Sequence, residues 1–576
     1  MKFFHVYNED CYKGLVKNGM LNADSGFKIQ HCFAVPKERQ FNNIAAIGGK
    51  LHTLIKENKI PFYVDRIAGG VTYYPYNFDK DLIEEYKRLL GDWFLGFQMH
   101  ESASNRRQEW DRLIQKCGEG PYDATEIRNK LLSTSAVTPE GEHLVSLSHD
   151  TAEYFATRTY AKTVPEFESE IKEMFQRRQQ DTADHVLPCD SYYLFSKLQN
   201  ELGMRTFMPE VGCQIPMMRI AIALARATAK AAGKTWGAYY ECWRAMPDGT
   251  YCMPCFNLDP INEWYLTQET HTDDFTSFGE NGGSSRLLQN RIYYHALMSG
   301  ADYFSEEWGL NCSYTNMEDF TLSAYGETKK RFIQTATKLR GIQAIVPFAI
   351  VLPKKYMCVE LPDIWDLDTY KYGIHRDVYM RCVLNSDEKA YYGHIEDVLK
   401  LVYARIAGQP DSEAHVLTNS RLPDLFDIIY EDMDDSVFAK YEYLIDATKE
   451  GTFAASAAAK DHKVLLSHDL DALEEQLKQL AKKIMPCYAD GLHWLVSADE
   501  NGQKYLTIFN NEGNERFLER GDVLNHEMDA WVNISFKETP ELRIVASSDA
   551  EIAIRKADNN NYRIFVPAAG FAVIAI

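Results

Sequence analysis

The sequence predicts an α/β chain built on a (β/α)8 TIM barrel, and three observations lead there. Short apolar runs alternate with helical segments from about residue 27 to residue 353. The runs number eight, the count that closes a parallel barrel. No glycine-rich dinucleotide fingerprint accompanies them, so the competing doubly wound sheet lacks its usual signature.

The first run is FKIQHCFAV (27–35), followed by a helix through NNIAAIGGKLHTLIKENK. PFYVDRIAGG (61–70) is the second and WFLGFQMHES (93–102) the third, each with a helix behind it. HVLPCDSYY (185–193), RTFMPEVG (205–212) and TWGAYYECW (235–243) are the fourth to sixth. ADYFSEEWG (301–309) is the seventh and AIVPFAIVLP (344–353) the eighth. After residue 353 the texture changes. A smaller α/β unit is expected over 354–487, with strands in DLFDIIYEDM, YEYLIDAT and HKVLLS. From 488 to 576 the chain is β-rich, with turn signals at Glu500-Asn501-Gly502 and Asp558-Asn559-Asn560-Asn561, and reads as an antiparallel β-sandwich.

Composition narrows the function classes. Acids outnumber bases 83 to 62, a formal net charge of -21, which argues against nucleic acid or an anionic membrane as partner. A soluble enzyme with a neutral substrate fits better. The start of the chain has no apolar run long enough for a signal peptide and no stretch reads as a transmembrane span. The 12 cysteines are scattered singly, as in a reducing compartment. The expected location is cytoplasmic, with a secreted chain stripped of its leader as the alternative.

In such a barrel the chemistry lies at the C-terminal strand ends. The expected runs end in acids: Asp65 and Arg66 on the second, His100 and Glu101 on the third, Asp190 on the fourth. Glu210 ends the fifth, Glu241 the sixth, and Glu306-Glu307-Trp308 the seventh. Like charges gathered at low dielectric cost stability unless they have a use. Paired carboxylates walled by aromatics are the constellation of glycoside hydrolysis. Glu307, Glu210 and Glu241 are therefore the candidate catalytic acids. Asp190, Glu101, Arg66, Trp236, Tyr239, Trp243 and Trp308 are the candidate substrate-binding residues, and the acids ending the fourth to seventh runs are expected to face one cavity lined by Trp236, Tyr239, Trp243 and Trp308. Small Ser305 shares a strand face with Glu307, which favours Glu307 over Glu306 as the inward acid. The C-terminal sandwich is not expected to carry chemistry.

The order of parts resembles that of family 42 β-galactosidases: a barrel, a flavodoxin-like α/β domain of the trimerisation type, and a small C-terminal sandwich. LFDIIYEDM and AKYEYLIDAT carry the likeness of the middle part. The resemblance implies a retaining, exo-acting glycosidase with an oligosaccharide or glycoside substrate and no cofactor. In that family an Asn-Glu pair ends the fourth strand and a Glu the seventh. Glu307 fits the seventh-strand nucleophile, whereas the fourth run ends in Cys189-Asp190. Glu210, Glu241 and Asp190 compete for the proton donor, and Asp190 with Glu241 is a second possible pairing. A catalytically silent sugar-binding barrel and a metal-dependent barrel lyase or isomerase are the competing functions.

Other motifs carry less. Ser148-His149-Asp150 and Ser467-His468-Asp469 hold triad residue types, but sequence neighbours cannot form a triad and no nucleophile elbow is present. Gly233-Lys234-Thr235 lacks the earlier glycine of a P-loop, with Thr228 in its place. No His-x-His or His-Glu-x-x-His occurs, and no metal is assigned. Cys252-x-x-Cys255 with nearby Cys242 is the one spacing that suits zinc; free thiols are the default.

The helix IEDVLKLVYARIAG has apolar residues at helical spacing, and the middle-part resemblance implies a homo-oligomer, trimer or dimer. Light scattering at micromolar concentration checks this: a multiple of the 66.1 kDa chain mass is expected, and a clean monomer refutes it.

Overall fold

Eight parallel strands close into a barrel in strict chain order. They are β1 (Lys2–Val6), β2 (Ser25–Gln30), β3 (Phe62–Ala68), β4 (Phe94–His100), β5 (Val186–Asp190), β6 (Thr206–Gly212), β7 (Thr235–Glu241) and β8 (Tyr303–Glu306). Every neighbouring pair is parallel, including the closing pair β1 with β8. The structure is a computed structural model. It describes residues 1–30, 40–68, 76–137, 143–145, 150–191, 195–212, 218–245, 251–254, 275–277, 279–307, 309–354, 386–404, 413–548 and 551–576.

The barrel predicted from the sequence is there, with its strands counted differently. The first strand is the five-residue run at the chain start, KFFHV, which the sequence reading passed over. The expected eighth strand is not in the barrel. Phe348–Leu352, here β9, sits inside a separate four-stranded parallel sheet with β10 (Phe426–Tyr430), β11 (Tyr443–Asp446) and β12 (Val464–Leu466). Each remaining run moves up one place in the barrel. The error has a physical source: FAIVL is buried on both faces, as any central parallel strand is, and its pattern does not say which sheet it enters. The sheet order β10-β9-β11-β12 is that of an open doubly wound sheet.

Strand alternation builds the barrel from two sets of side chains. Phe4, Tyr63, Leu187, Met208, Tyr239 and Tyr303 turn inward and fill the lumen. Phe3, Phe27, Val64, Phe207, Tyr240 and Phe304 turn outward into the core shared with the helices. Beyond residue 486 two antiparallel sheets face one another. One contains His493–Ala498, Lys504–Phe509 and Phe571–Ala575; the other contains Ala530–Phe536 and Asn561–Val566. In the first sheet Val496, Leu506 and Ile574 face the second sheet, while Leu495, Tyr505 and Val573 pack on the barrel side. None of the described helices is long and apolar enough to cross a membrane.

The helix Met218–Ala232, MRIAIALARATAKAA, is wedged between β6 and β10, and its alanines let both approach closely. Its two arginines carry charge into that seam. Arg226 Nε meets Asp427 Oδ1 at 2.7 Å, and Arg219 Nε lies 3.6 Å from Asp424 Oδ2. Asp424 is also met by His295 Nε2 at 2.7 Å, from the helix Arg286–Met298, and by His493 Nε2 at 3.4 Å, from the C-terminal sheet. One buried carboxylate thus joins barrel, parallel sheet and C-terminal region. Burial raises a carboxyl, yet Arg219 and the two histidines hold Asp424 well below its ordinary value.

Removing this charge leaves Arg219 buried beside no anion. Asp424→Asn is expected to destabilise the protein by about 3–5 kcal/mol, read from urea unfolding. Burial, against the pull of Asp424, holds both histidines below their ordinary value. The unfolded chain therefore binds the additional protons, and stability present above about pH 6.5 is lost as the pH falls below it. Thermal melts of wild type and His493→Gln across that window check this, the variant showing the shallower decline.

Candidate active site

The ends of β3, β4, β6, β7 and β8 converge on one group of charges. On β6 and β7, Glu210 and Glu241 share the inward face with Met208 and Tyr239. Glu241 enters without obstruction because its neighbour on β6 is Gly212. A Cβ there would stand 2.1 Å from Glu241 Cγ and 2.3 Å from its carbonyl oxygen. On β8 the same alternation sends Glu307 inward and Glu306 outward. Glu306 is claimed by the helix layer, accepting from Tyr293 Oη and pairing with Lys329. Glu307 accepts from Trp243 Nε1 at 2.8 Å and pairs with Arg66, while its own N–H donates to Tyr240 O at 2.8 Å.

Two strand ends leave regular geometry to reach this group. Arg66 has φ 58° and Glu101 φ 44°, left-handed backbone that costs a non-glycine residue about 1–3 kcal/mol. Because of that turn Arg66 points inward, where simple alternation after Asp65 would send it out. His100 Nε2 stands 3.7 Å from Glu101 Oε2, 3.6 Å from Glu210 Oε1 and 3.7 Å from Glu307 Oε1. One oxygen each of Glu210, Glu241 and Glu307 lies within 4.8 Å of the others, and one ligand atom each of His100, Glu101 and Glu210 does likewise. Glu101 has a quarter of its side chain exposed and forms the outer edge, while Glu210 and Glu307 are buried.

Beneath the acids lies a cationic floor. Lys28 on β2 reaches past β1 to the carbonyls of Glu306 and Glu307 and to Asp65 Oδ2, at 3.2 Å from the last. Tyr239 Oη donates to Asp65 Oδ1 at 3.4 Å, and its ring meets His100 edge-on at 5.5 Å. Asp65, Glu101, Glu210, Glu241 and Glu307 thus face two cations, Lys28 and Arg66. The surplus of negative charge shows in the titration. Burial, then the charges of Glu101, Glu307 and Glu241, push Glu210 well above the carboxylate range. Burial, opposed by Arg66, raises Glu307 to about 7. Glu101 is raised by burial, against Arg66 and a hydrogen bond from Glu210. Glu101 and Glu210 therefore share a proton.

Not every expected residue is brought here. Asp190 follows inward Cys189 and so points out of the lumen, where it accepts from Ser102 N at 3.1 Å and from Gln199. It braces the turn after Glu101, and burial raises it to about 7. Trp236 is at the opposite end of β7 and on its outer face, buried in the helix-side core, so it does not wall the mouth. Tyr239 is in the lumen and Trp243 at the rim. Trp308 lies outside the described residues. Lys28 was missed: a lysine between apolar neighbours in FKIQ reads as a solvent face. Asp65 and His100 were noted at strand ends without a role. Of the zinc candidates, Cys255 lies outside the described residues; Cys252 Sγ accepts from Gly283 N at 3.3 Å, and Cys242 Sγ meets Cys312 Sγ. Among the described residues no metal-type grouping contains a cysteine. A cavity of about 820 Å³ opens at the end of the C-terminal sheets beside Phe536 and Leu542, away from all these acids.

Glu210 carries a proton in the folded state that the unfolded chain releases above the ordinary carboxylate value. Its contribution turns increasingly unfavourable as the pH rises above about 4.3. Glu210→Gln, which mimics the protonated acid, is expected to raise the melting temperature at pH 8 and leave it nearly unchanged at pH 4. A lower melting temperature at both values would mean that the ionised carboxylate holds the fold.

No family model matches the chain, and no curated protein matches its sequence. Three solved structures align over most of its length. α-L-Fucosidase isoenzyme 2 from Paenibacillus thiaminolyticus is 9% identical, covering 99% of this chain and 96% of that one, with a TM-score of 0.43. The catalytic module of a family 98 glycoside hydrolase from Streptococcus pneumoniae is 9% identical over 100% and 98%, with a TM-score of 0.40. An α-amylase from H. orenii is 8% identical over 100% and 99%, with a TM-score of 0.21. All three similarities are weak.

Proposed function

We propose that this chain is a glycoside hydrolase, retaining and exo-acting on an oligosaccharide or glycoside held at the barrel mouth. One observation carries the reading: one oxygen each of Glu210, Glu241 and Glu307 gathers within 4.8 Å. Retaining enzymes hold their two carboxyls about 5–5.5 Å apart, while inverting ones need about 6.5–9.5 Å to seat a water.

The recounted strands favour a division of roles. The fourth barrel strand now ends in His100-Glu101 and the seventh in Glu241, the two places that family 42 β-galactosidases use for proton donor and nucleophile. Glu307 has one oxygen on Arg66 and the other on Trp243, which suits it to stabilise charge rather than attack. In the first step the proton shared by Glu101 and Glu210 passes to the glycosidic oxygen while a Glu241 oxygen attacks the anomeric carbon. In the second the deprotonated pair takes a proton from water, which displaces the sugar from Glu241. Trp243 offers an apolar edge to the ring.

A second reading, a divalent-metal barrel lyase or isomerase, is favoured by the additional grouping of His100, Glu101 and Glu210; the Arg66 guanidinium beside them opposes it. A panel of nitrophenyl glycosides, run with chelator and with added Mg²⁺ or Mn²⁺, separates the two. Turnover insensitive to chelator is expected. Glu241→Ala is expected to lose it and to regain part with azide, and Glu210→Gln to slow it by about 10²–10⁴-fold. No turnover of any glycoside by the wild type, with metal-dependent activity elsewhere, overturns the proposal.

A further inference from the structure

Two buried cysteines flank the acids and touch. Cys242 follows Glu241 and precedes Trp243; Cys312 lies in the short helix Gly309–Ser313, just after Glu307. Their sulfurs are 3.2 Å apart across 70 residues of chain. Both backbones are pinned. Cys242 O accepts from Ser284 N at 2.8 Å, and Gly283 packs against it so closely that a Cβ would stand 2.3 Å away. Cys312 O accepts from Ser323 Oγ. These contacts hold the two backbones in place beside one another, and side-chain rotation has only about 1.2 Å to close to reach a disulfide bond.

We propose that Cys242 and Cys312 form a site of oxidative modification, a disulfide made in the native protein by a peroxide-class oxidant. One sulfur attacks the peroxide O–O bond, giving a sulfenic acid and a water. The second sulfur then displaces the sulfenic oxygen as another water, so the two thiols give up two electrons and one hydrogen peroxide becomes two waters. The small oxidant is required by burial: both side chains are almost closed to solvent. The product ties the rim after β7, with Glu241 and Trp243, to the rim after β8, with Glu307. The crosslink closes a long loop, so it stabilises the native state.

The rival partner is Cys252, held on the other side of Gly283 by the N–H that Gly283 donates to its sulfur. The test treats the reduced full-length protein with hydrogen peroxide, quenches with an alkylating reagent, and maps peptides without reductant. Expected are one peptide joining Cys242 to Cys312, two hydrogens lighter than the pair, and a melting temperature raised by several degrees that dithiothreitol reverses. Cys312→Ala, with Cys312→Ser as a second form, is expected to abolish both; if neither variant folds, the wild-type map alone decides. Recovery of both thiols alkylated, a sulfinic acid at either, or a Cys242–Cys252 link overturns the proposal. None of these readouts depends on glycoside turnover, so failure here is distinguishable from failure of the hydrolase reading.

Discussion

The barrel depends on one seam. Lys2, Phe3 and Phe4 pair with Tyr303, Phe304 and Ser305, bringing the first residues of the chain against strands three hundred residues later. Without that pairing β1 and β8 would be open edges and the lumen would be reached by water. Side chains reinforce the seam from within: Tyr63 Oη meets Ser305 Oγ at 2.7 Å, and Lys28 crosses β1 to the carbonyls of Glu306 and Glu307 at the end of β8. The position of Glu307 follows from the same register. A shift of one residue would put Glu306 in the lumen and Glu307 among the helices.

Within that frame the mouth is an electrostatic expense the fold sustains. Two residues hold left-handed backbone, and five acids share two cations. The charges are not arranged symmetrically. Arg66 and Trp243 moderate the rise that burial gives Glu307, while burial and the surrounding carboxylates outweigh Arg66 at Glu210 and push it further up. Environments that push neighbouring carboxyls apart in acidity are what acid–base chemistry requires.

Much of this was legible from alternation alone. Glu210, Glu241 and Glu307 follow from counting by twos along β6, β7 and β8, and the same counting places Tyr239 inside. Applied to Trp236 it gives the outer face, three steps from inward Tyr239, so grouping the aromatics of TWGAYYECW by proximity in sequence misled. The strand count failed where pattern is silent: KFFHV is too short to stand out, and FAIVL fits any buried parallel sheet. Arg66 was legible as a strand-end residue, yet its inward turn needs a positive φ that nothing in DRIA announces. The links made by Lys28, and the meeting of Arg219, His295, Asp424 and His493, join positions far apart in the chain. They are properties of tertiary packing that local pattern does not carry.

The Asp424 junction bears on how the molecule comes apart. A carboxylate shared by an arginine and a histidine from two barrel helices and a histidine from the C-terminal sheet cannot lose one partner without leaving charge buried among the others. Opening of the C-terminal sheets is thereby coupled to opening of the barrel helix Arg286–Met298. Slowly exchanging amides on the two should report one common free energy of opening, and they should become exposed to a protease together.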